Sequence, residues 1–208
     1  MIWTVGHSTR TVEALVELLR AHGIRNLADV RTLPRSRRNP QFDADALREP
    51  LAGAGIRYTH LPELGGLRRA HPDSPNTAWR DPGFRGYADH MQTAVFAAAL
   101  DGLLALAARA PTAVMCAEAV PERCHRLLLS DALVARGEPV VHIRAVDAAD
   151  PHALTPAARV DGTRVTYPGP PELFPREGHA TTPPGRARRG SARGHRAARS
   201  GSSPSPTP

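Results

Sequence analysis

Apolar positions along the chain alternate between two rhythms. Five short runs, IWTV (residues 2–5), NLADV (26–30), IRYTHL (56–61), TAVMCA (112–117) and PVVHI (139–143), have the length and β-branched content of strands, and TAVMCA has the unbroken apolar character of a central parallel one. Between them the spacing turns helical. Val12, Leu15, Val16 and Leu19 share one face after Thr11, a capping residue, and the pattern stops at Gly23. A second helix is expected to start at Asp43 or Asp45, pass through Leu47 and Leu51 and close at Gly53 and Gly55. A third lies within 86–109, with Met91, Val95, Phe96, Leu100, Leu103 and Leu104 available for burial, and a fourth runs from near Pro121 to Arg136. An Asp161-Gly162 turn between β-prone runs predicts a hairpin over 158–167. Strands alternating with helices predict an α/β fold: a three-layer domain with a mainly parallel sheet, ending in that small C-terminal hairpin.

The pattern fades near residue 174. From 175 onward the chain is rich in Pro, Gly, Ser and Arg and nearly devoid of apolar residues, so it cannot bury enough surface to offset its ordering entropy. We therefore expect one domain over 1–174 and a disordered basic tail over 175–208. The net charge of +7 belongs mostly to this tail, where seven arginines face one glutamate. A nucleic-acid partner is accordingly expected through the tail if at all, by salt-sensitive attraction; the plainer reading is a solvated extension.

MIWTVGHSTR lacks the basic start and long apolar stretch of a signal peptide, and no run reaches the roughly 18 apolar residues of a membrane span. A cytoplasmic protein with no membrane partner is the expectation. In that compartment Cys116 and Cys124 should be thiols, metal ligands or a transient redox pair rather than a structural bridge. Their spacing is not C-x-x-C, which weakens the redox reading. The long polar connection 62–85 exceeds the usual loop length, and such loops are often functional lids.

In an open α/β sheet, ligands bind beyond the carboxyl ends of the strands. His7 and Ser8 follow the first strand, Asp29 and Arg31 end the second, and Cys116 with Glu118 ends TAVMCA. The loop 31–40 adds Arg35, Arg37, Arg38 and Asn39 with two prolines; guanidinium forks match phosphate and carboxylate oxygens, which points to a small anionic ligand. Cys116, at a strand end facing a helix start near Arg123 and Arg126, is a candidate nucleophile, although a buried small apolar residue is the bland alternative. Continuing the last helix back through Cys124 and His125 puts both among leucines, so these can simply be buried. A zinc site would take Cys116, Cys124 and His125 with His7 as fourth ligand, but Cys-x7-Cys-His is not a standard spacing, and helical neighbours point about 100° apart. The phosphatase loop C-x5-R fails by register, because the first arginine after Cys116 is Arg123, and AEAVPE lacks glycine and carries two acids. A serine hydrolase triad lacks its G-x-S-x-G.

Taken in order, TVGHSTR, ADVRTLPRSRRNPQF, HLPELGG, FRGYADHM and MCAEAVPERCHR…ALVARG…VVHI resemble the domain-of-unknown-function 488 family of small prokaryotic proteins over residues 2–143. The resemblance implies an α/β architecture but no settled activity, and the sequence leaves any cofactor unknown. It marks Gly6, His7, Ser8, Asp29, Arg31, Arg37, Arg38, Asn39, Pro40, Cys116, Glu118, Arg123, Cys124, His125 and Arg126 as signature positions.

The expected function is an enzyme, a thiol-dependent hydrolase or transferase, acting on an anionic, phosphorylated or nucleotide-like substrate. Ser8, Asp29, Arg31, Arg37, Arg38, Asn39, Arg123 and Arg126 would bind it. His7, Glu118 or His125 would move protons, and Cys116 would attack, with Cys124 as alternative. The rivals are a nucleic-acid-binding module using 31–38 and the tail, and a metal-binding protein using Cys116, Cys124, His125 and His7.

Overall fold

A computed structural model describes residues 1–170. The tail expected over 175–208 lies outside the described residues.

The strands are β1 (Ile2–Gly6), β2 (Asn26–Asp29), β3 (Arg57–His60), β4 (Thr112–Cys116), β5 (Val140–Ala145) and β6 (Ala148–Pro151). They form one sheet in the order β3-β2-β4-β1-β5-β6, parallel except for the antiparallel edge strand β6. The helices are α1 (Val12–Ala21), α2 (Ala44–Gly53), α3 (Pro82–His90), α4 (Ala94–Arg109) and α5 (Arg126–Ala135). Successive strand residues point to opposite faces, and this alternation separates two cores. Val114 joins Phe96, Leu100 and Leu103 of α4 and Leu128 and Leu129 of α5 on one side. Ala113 and Met115 join Leu15 and Leu19 of α1 and Leu47 and Leu51 of α2 on the other. The result is the expected α/β domain, with β7 (Arg159–Asp161) and β8 (Arg164–Thr166) as the small hairpin.

Thr11 caps α1 through Ala14 N–H, and Gly23 closes the following turn at φ +67°. Two helix boundaries differ from expectation. The region 86–109 holds α4 and most of α3, bent by 79°, because Thr93 turns its hydroxyl to Phe96 N–H and starts a new helix. The last helix begins at Arg126, since residues Pro121–Arg123 form a 3₁₀ turn whose end leaves Cys124 extended (φ −133°, ψ 147°). Among the described residues no single helix is long and apolar enough to cross a membrane.

Register decides what meets at the carboxyl edge. Gly6 lies opposite Cys116, and Asp29 opposite Met115. The pairing runs on past the strands, with His7 N–H donating to Cys116 O and Ser8 N–H to Ala117 O. A Cβ on Gly6 would sit 2.0 Å from Glu118 O, so only glycine lets the chain after β4 cross the end of β1.

Candidate functional site

His7 is buried at the end of β1 and fully engaged. Its Nδ1 lies 2.9 Å from Ser8 O, its Nε2 lies 3.2 Å from Arg31 Nη1, and its ring stacks on Phe42 with centroids 4.1 Å apart. Arg31 can only donate, so the network assigns the proton to Nδ1 and the lone pair to Nε2. Burial pulls the His7 pKa down to about 4, which keeps the ring neutral near neutral pH. Ser8 holds φ at 51°, in the left-handed region that few non-glycine residues adopt.

Arg31 is committed to Asp29. Its Nε and Nη2 reach the carboxylate at 2.9 and 2.5 Å, its backbone N–H at 3.0 Å, Tyr58 OH adds a fourth donor at 2.7 Å, and Arg31 Nη2 also donates to Phe42 O. This buried pair stitches β2, β3 and the arginine loop together at the cost of desolvating two charges. The rest of the loop divides: Arg35 lines the cavity described below, whereas Arg37 and Arg38 are exposed away from it. Asn39 closes a turn through its N–H on Ser36 Oγ.

The thiols converge despite the seven residues between them. Cys124 Sγ lies 3.6 Å and Cys116 Sγ 4.0 Å from His125 Nδ1, and the three atoms all fall within 4.8 Å of one another. The extended Cys124 and the αR backbone of His125 (φ −55°, ψ −16°) turn these neighbours toward one point, which a continuous helix would not do. Behind them lies Arg126, 1% exposed. Its Nε donates to Cys124 Sγ at 3.4 Å, Nη1 to Thr4 Oγ1 at 3.3 Å, and Nη2 to the carbonyls of Glu118 and Ala119. Among the described residues no carboxylate forms a salt bridge with it. A buried guanidinium needs a compensating anion, and the Cys124 sulfur is the acceptor that can become one. The Cys124 pKa is accordingly pulled down, first by a hydrogen bond from the Cys116 thiol and then by His125 and Arg126. Cys116 is pushed up by the same bond and by burial. The pair titrates as a unit, with the first negative charge on Cys124.

A chain of hydrogen bonds extends from Arg126 through the sheet. Thr4 Oγ1 lies 2.7 Å from His142 Nδ1, His142 Nε2 lies 3.1 Å from His152 Nδ1, and His152 Nε2 lies 2.9 Å from Asp131 Oδ1. Donor directions follow from the ends: Arg126 can only donate and the Asp131 carboxylate accepts, so each hydroxyl and ring passes its proton toward Asp131. Asp131 also accepts from Thr155 N–H, Thr155 Oγ1 and Tyr167 OH. Thr4, Asp131, His142 and His152 were not among the sequence candidates. For Thr4, Asp131 and His142 the signal was present, because each is a polar residue inside an apolar run, IWTV, LLLSDALV or PVVHI; His152, in DPHALTP, carried no such signal.

The thiols open into a cavity of about 410 Å³. His7, Cys116, Cys124 and His125 line its floor, Arg35, Arg123 and Glu118 lie around it, and Gly83 and Phe84 at the start of α3 contribute a wall. Glu118 Oε1 accepts from Val120 N–H, and the Asp81 carboxylate, also lining the cavity, accepts from Phe84 N–H. Leu33 and Leu67, 68% and 72% exposed, form apolar lips. A Cβ on Gly66 would sit 2.5 Å from His125 Nδ1, so the LGG turn is what gives the imidazole room. Ser8, Asp29, Arg37, Arg38, Asn39 and Arg126 do not line the cavity; Asp29 and Arg126 brace residues that do.

Among the described residues Cys116, Cys124 and His125 form the group able to hold a metal ion, and His7, considered as a fourth ligand, is not part of that group. Two thiolates around zinc would already balance the ion's two charges and leave Arg126 uncompensated; one thiolate without metal balances it.

A family model described as a domain of unknown function, DUF488, matches residues 11–133. No curated protein and no solved structure matches the chain.

Proposed function

The chain belongs to the DUF488 family, and from the geometry of its thiol site we propose that it is a thiol-dependent enzyme, a hydrolase or transferase, acting on a small anionic substrate. One observation carries this reading: Arg126, buried, aims Nε at Cys124 Sγ with no carboxylate salt bridge among the described residues. The nucleophile is therefore Cys124 rather than Cys116, the sequence's first choice. The anionic part of the substrate meets Arg35 and Arg123, and its uncharged part rests on Leu33, Leu67 and Phe84. As Cys124 attacks and loses its charge, the Cys116 thiol returns toward ordinary acidity and can protonate the leaving group. The site then keeps one negative charge opposite Arg126. Glu118, at the cavity wall, is the carboxylate able to activate water for a hydrolytic second step.

Alkylation by iodoacetamide across pH, with each cysteine mapped by mass spectrometry, tests this. Cys124 should react with a midpoint below 7; a midpoint near the ordinary thiol value of about 8.5 would refute it.

Convergence of three ligand atoms favours metal binding as a second reading. Stoichiometric zinc or iron in purified protein, lost on chelation together with a drop in melting temperature, would establish that reading in place of the first. Nucleic-acid binding through Arg37, Arg38 and the basic residues beyond 175 predicts affinity for mixed oligonucleotides that falls steeply with salt.

A further inference from the structure

We infer that the two sulfurs work as a thiol–disulfide exchange pair whose substrate is a small anionic disulfide. This rests on the thiolate reading above and names the electrophile. The chain has two cysteines, supplied by different elements, the end of β4 and the turn before α5. Both are free, and both face the same cavity with their sulfurs within 4.8 Å of each other. One such sulfur suffices as a nucleophile, and a second in reach can also intercept a mixed disulfide formed on the first. In disulfide exchange that interception is the productive step.

The sequence of bonds balances. The Cys124 thiolate attacks one sulfur of the substrate disulfide, forming a Cys124–substrate disulfide and expelling the other half as a thiolate. That thiolate takes the proton of Cys116, which no longer faces a negatively charged sulfur, and leaves as a thiol. The new Cys116 thiolate, still facing Arg126 across the cluster, attacks Cys124 Sγ, closes the intramolecular disulfide and releases the second half as a thiolate. The substrate gains two electrons, and the cysteine pair gives up two. A thiol or dithiol reductant returns the pair to its starting state.

Geometry allows closure. The sulfurs must approach to about 2.05 Å, and neither is held inside a helix: Cys116 is the last residue of β4, and Cys124 lies in extended backbone between the 3₁₀ turn and α5. Charge selects the substrate. Glu118 and Asp81 each spend one carboxylate oxygen on a backbone amide, of Val120 and Phe84, whereas among the described residues no hydrogen bond engages the guanidinium groups of the exposed Arg35 and Arg123, which are open to carboxylates on a ligand.

The test treats the full chain with glutathione disulfide, which is anionic, or cystamine, which is cationic, quenches with acid and reads the products by mass spectrometry. Wild type should form the intramolecular disulfide. Cys116→Ser and Cys116→Ala should instead accumulate one glutathione on Cys124, and Cys124→Ser should react at least about tenfold more slowly. Glutathione disulfide should outpace cystamine at low salt, with the preference lost in Arg35→Ala/Arg123→Ala. Wild type that stalls at the mixed disulfide overturns the exchange pair while sparing the thiolate reading. An ordinary alkylation midpoint at Cys124 overturns the thiolate reading itself. Cystamine reacting as fast as glutathione disulfide overturns the anionic substrate class, and a bound metal that blocks both reagents until chelated overturns the proposal outright.

Discussion

Replacing Arg126 by methionine removes a buried cation while retaining an apolar stem of similar length. At 3.4 Å from Cys124 Sγ, a full charge pair at an effective dielectric near 20 is worth about 5 kcal/mol. Desolvation of both groups and the remaining donors, Cys116 and His125, reduce what the thiolate loses. An upward shift of about one to three pKa units is the range for removing a close opposite charge. Stability falls for a separate reason: Thr4 Oγ1 and the Glu118 and Ala119 carbonyls lose their donor, and the thiolate is left buried without its counter-charge, about 3–5 kcal/mol for a pair broken on one side. The two effects separate in two assays. Urea unfolding reads the stability loss, and alkylation of Cys124 across pH reads the thiolate. Arg126→Met that unfolds earlier but alkylates with the wild-type midpoint would show that Cys124 is not the compensating anion, and the basis for the thiol site would fail.

Thr4→Val keeps the shape of β1 but cuts the chain between Arg126 and His142; the Cys124 alkylation midpoint should rise while Thr4→Ser stays near wild type, and equal midpoints in all three would reduce Thr4 to packing. His7 and His142 both have pKa values lowered from 6.5 to about 4 by burial. The unfolded chain therefore binds their protons first, and the stability they contribute, complete above about 6.5, should drain away as pH falls toward 4. Melting temperatures across that window check the sign, and His142→Gln should flatten the decline. Gly66→Ala forces a Cβ to within 2.5 Å of His125 Nδ1, so it should cost about 1–3 kcal/mol in urea unfolding and slow Cys124 alkylation; unchanged values would show that the LGG turn can yield.

What the sequence determined by itself was the periodic part of the molecule. TAVMCA reads as a buried parallel strand because five consecutive positions suit burial on both faces, and α1 reads as a helix because Thr11, the apolar stripe and Gly23 agree locally. Local agreement fails where two states have similar short-range energy. A helix from Pro121 onward and a 3₁₀ turn followed by extended Cys124 satisfy nearly the same backbone bonds, and tertiary packing separates them; that choice brought Cys124 and His125, two of the candidate site residues, to the floor of a cavity rather than onto different sides of a continuous helix. The break between α3 and α4 has the same origin, for both halves are apolar. The arginine loop shows the limit for charge. Arg31, Arg35, Arg37 and Arg38 are alike in sequence, and their roles diverge only once Asp29 captures the first and the cavity reaches the second. Arg126 is the extreme case: Glu118, Ala119 and Cys124 lie within eight residues of it, but Thr4, on the strand β1 that pairs with β4, is 122 positions away. Electrostatic compensation depends on distances of 3 to 4 Å across separate elements, which a one-dimensional pattern of residues does not contain.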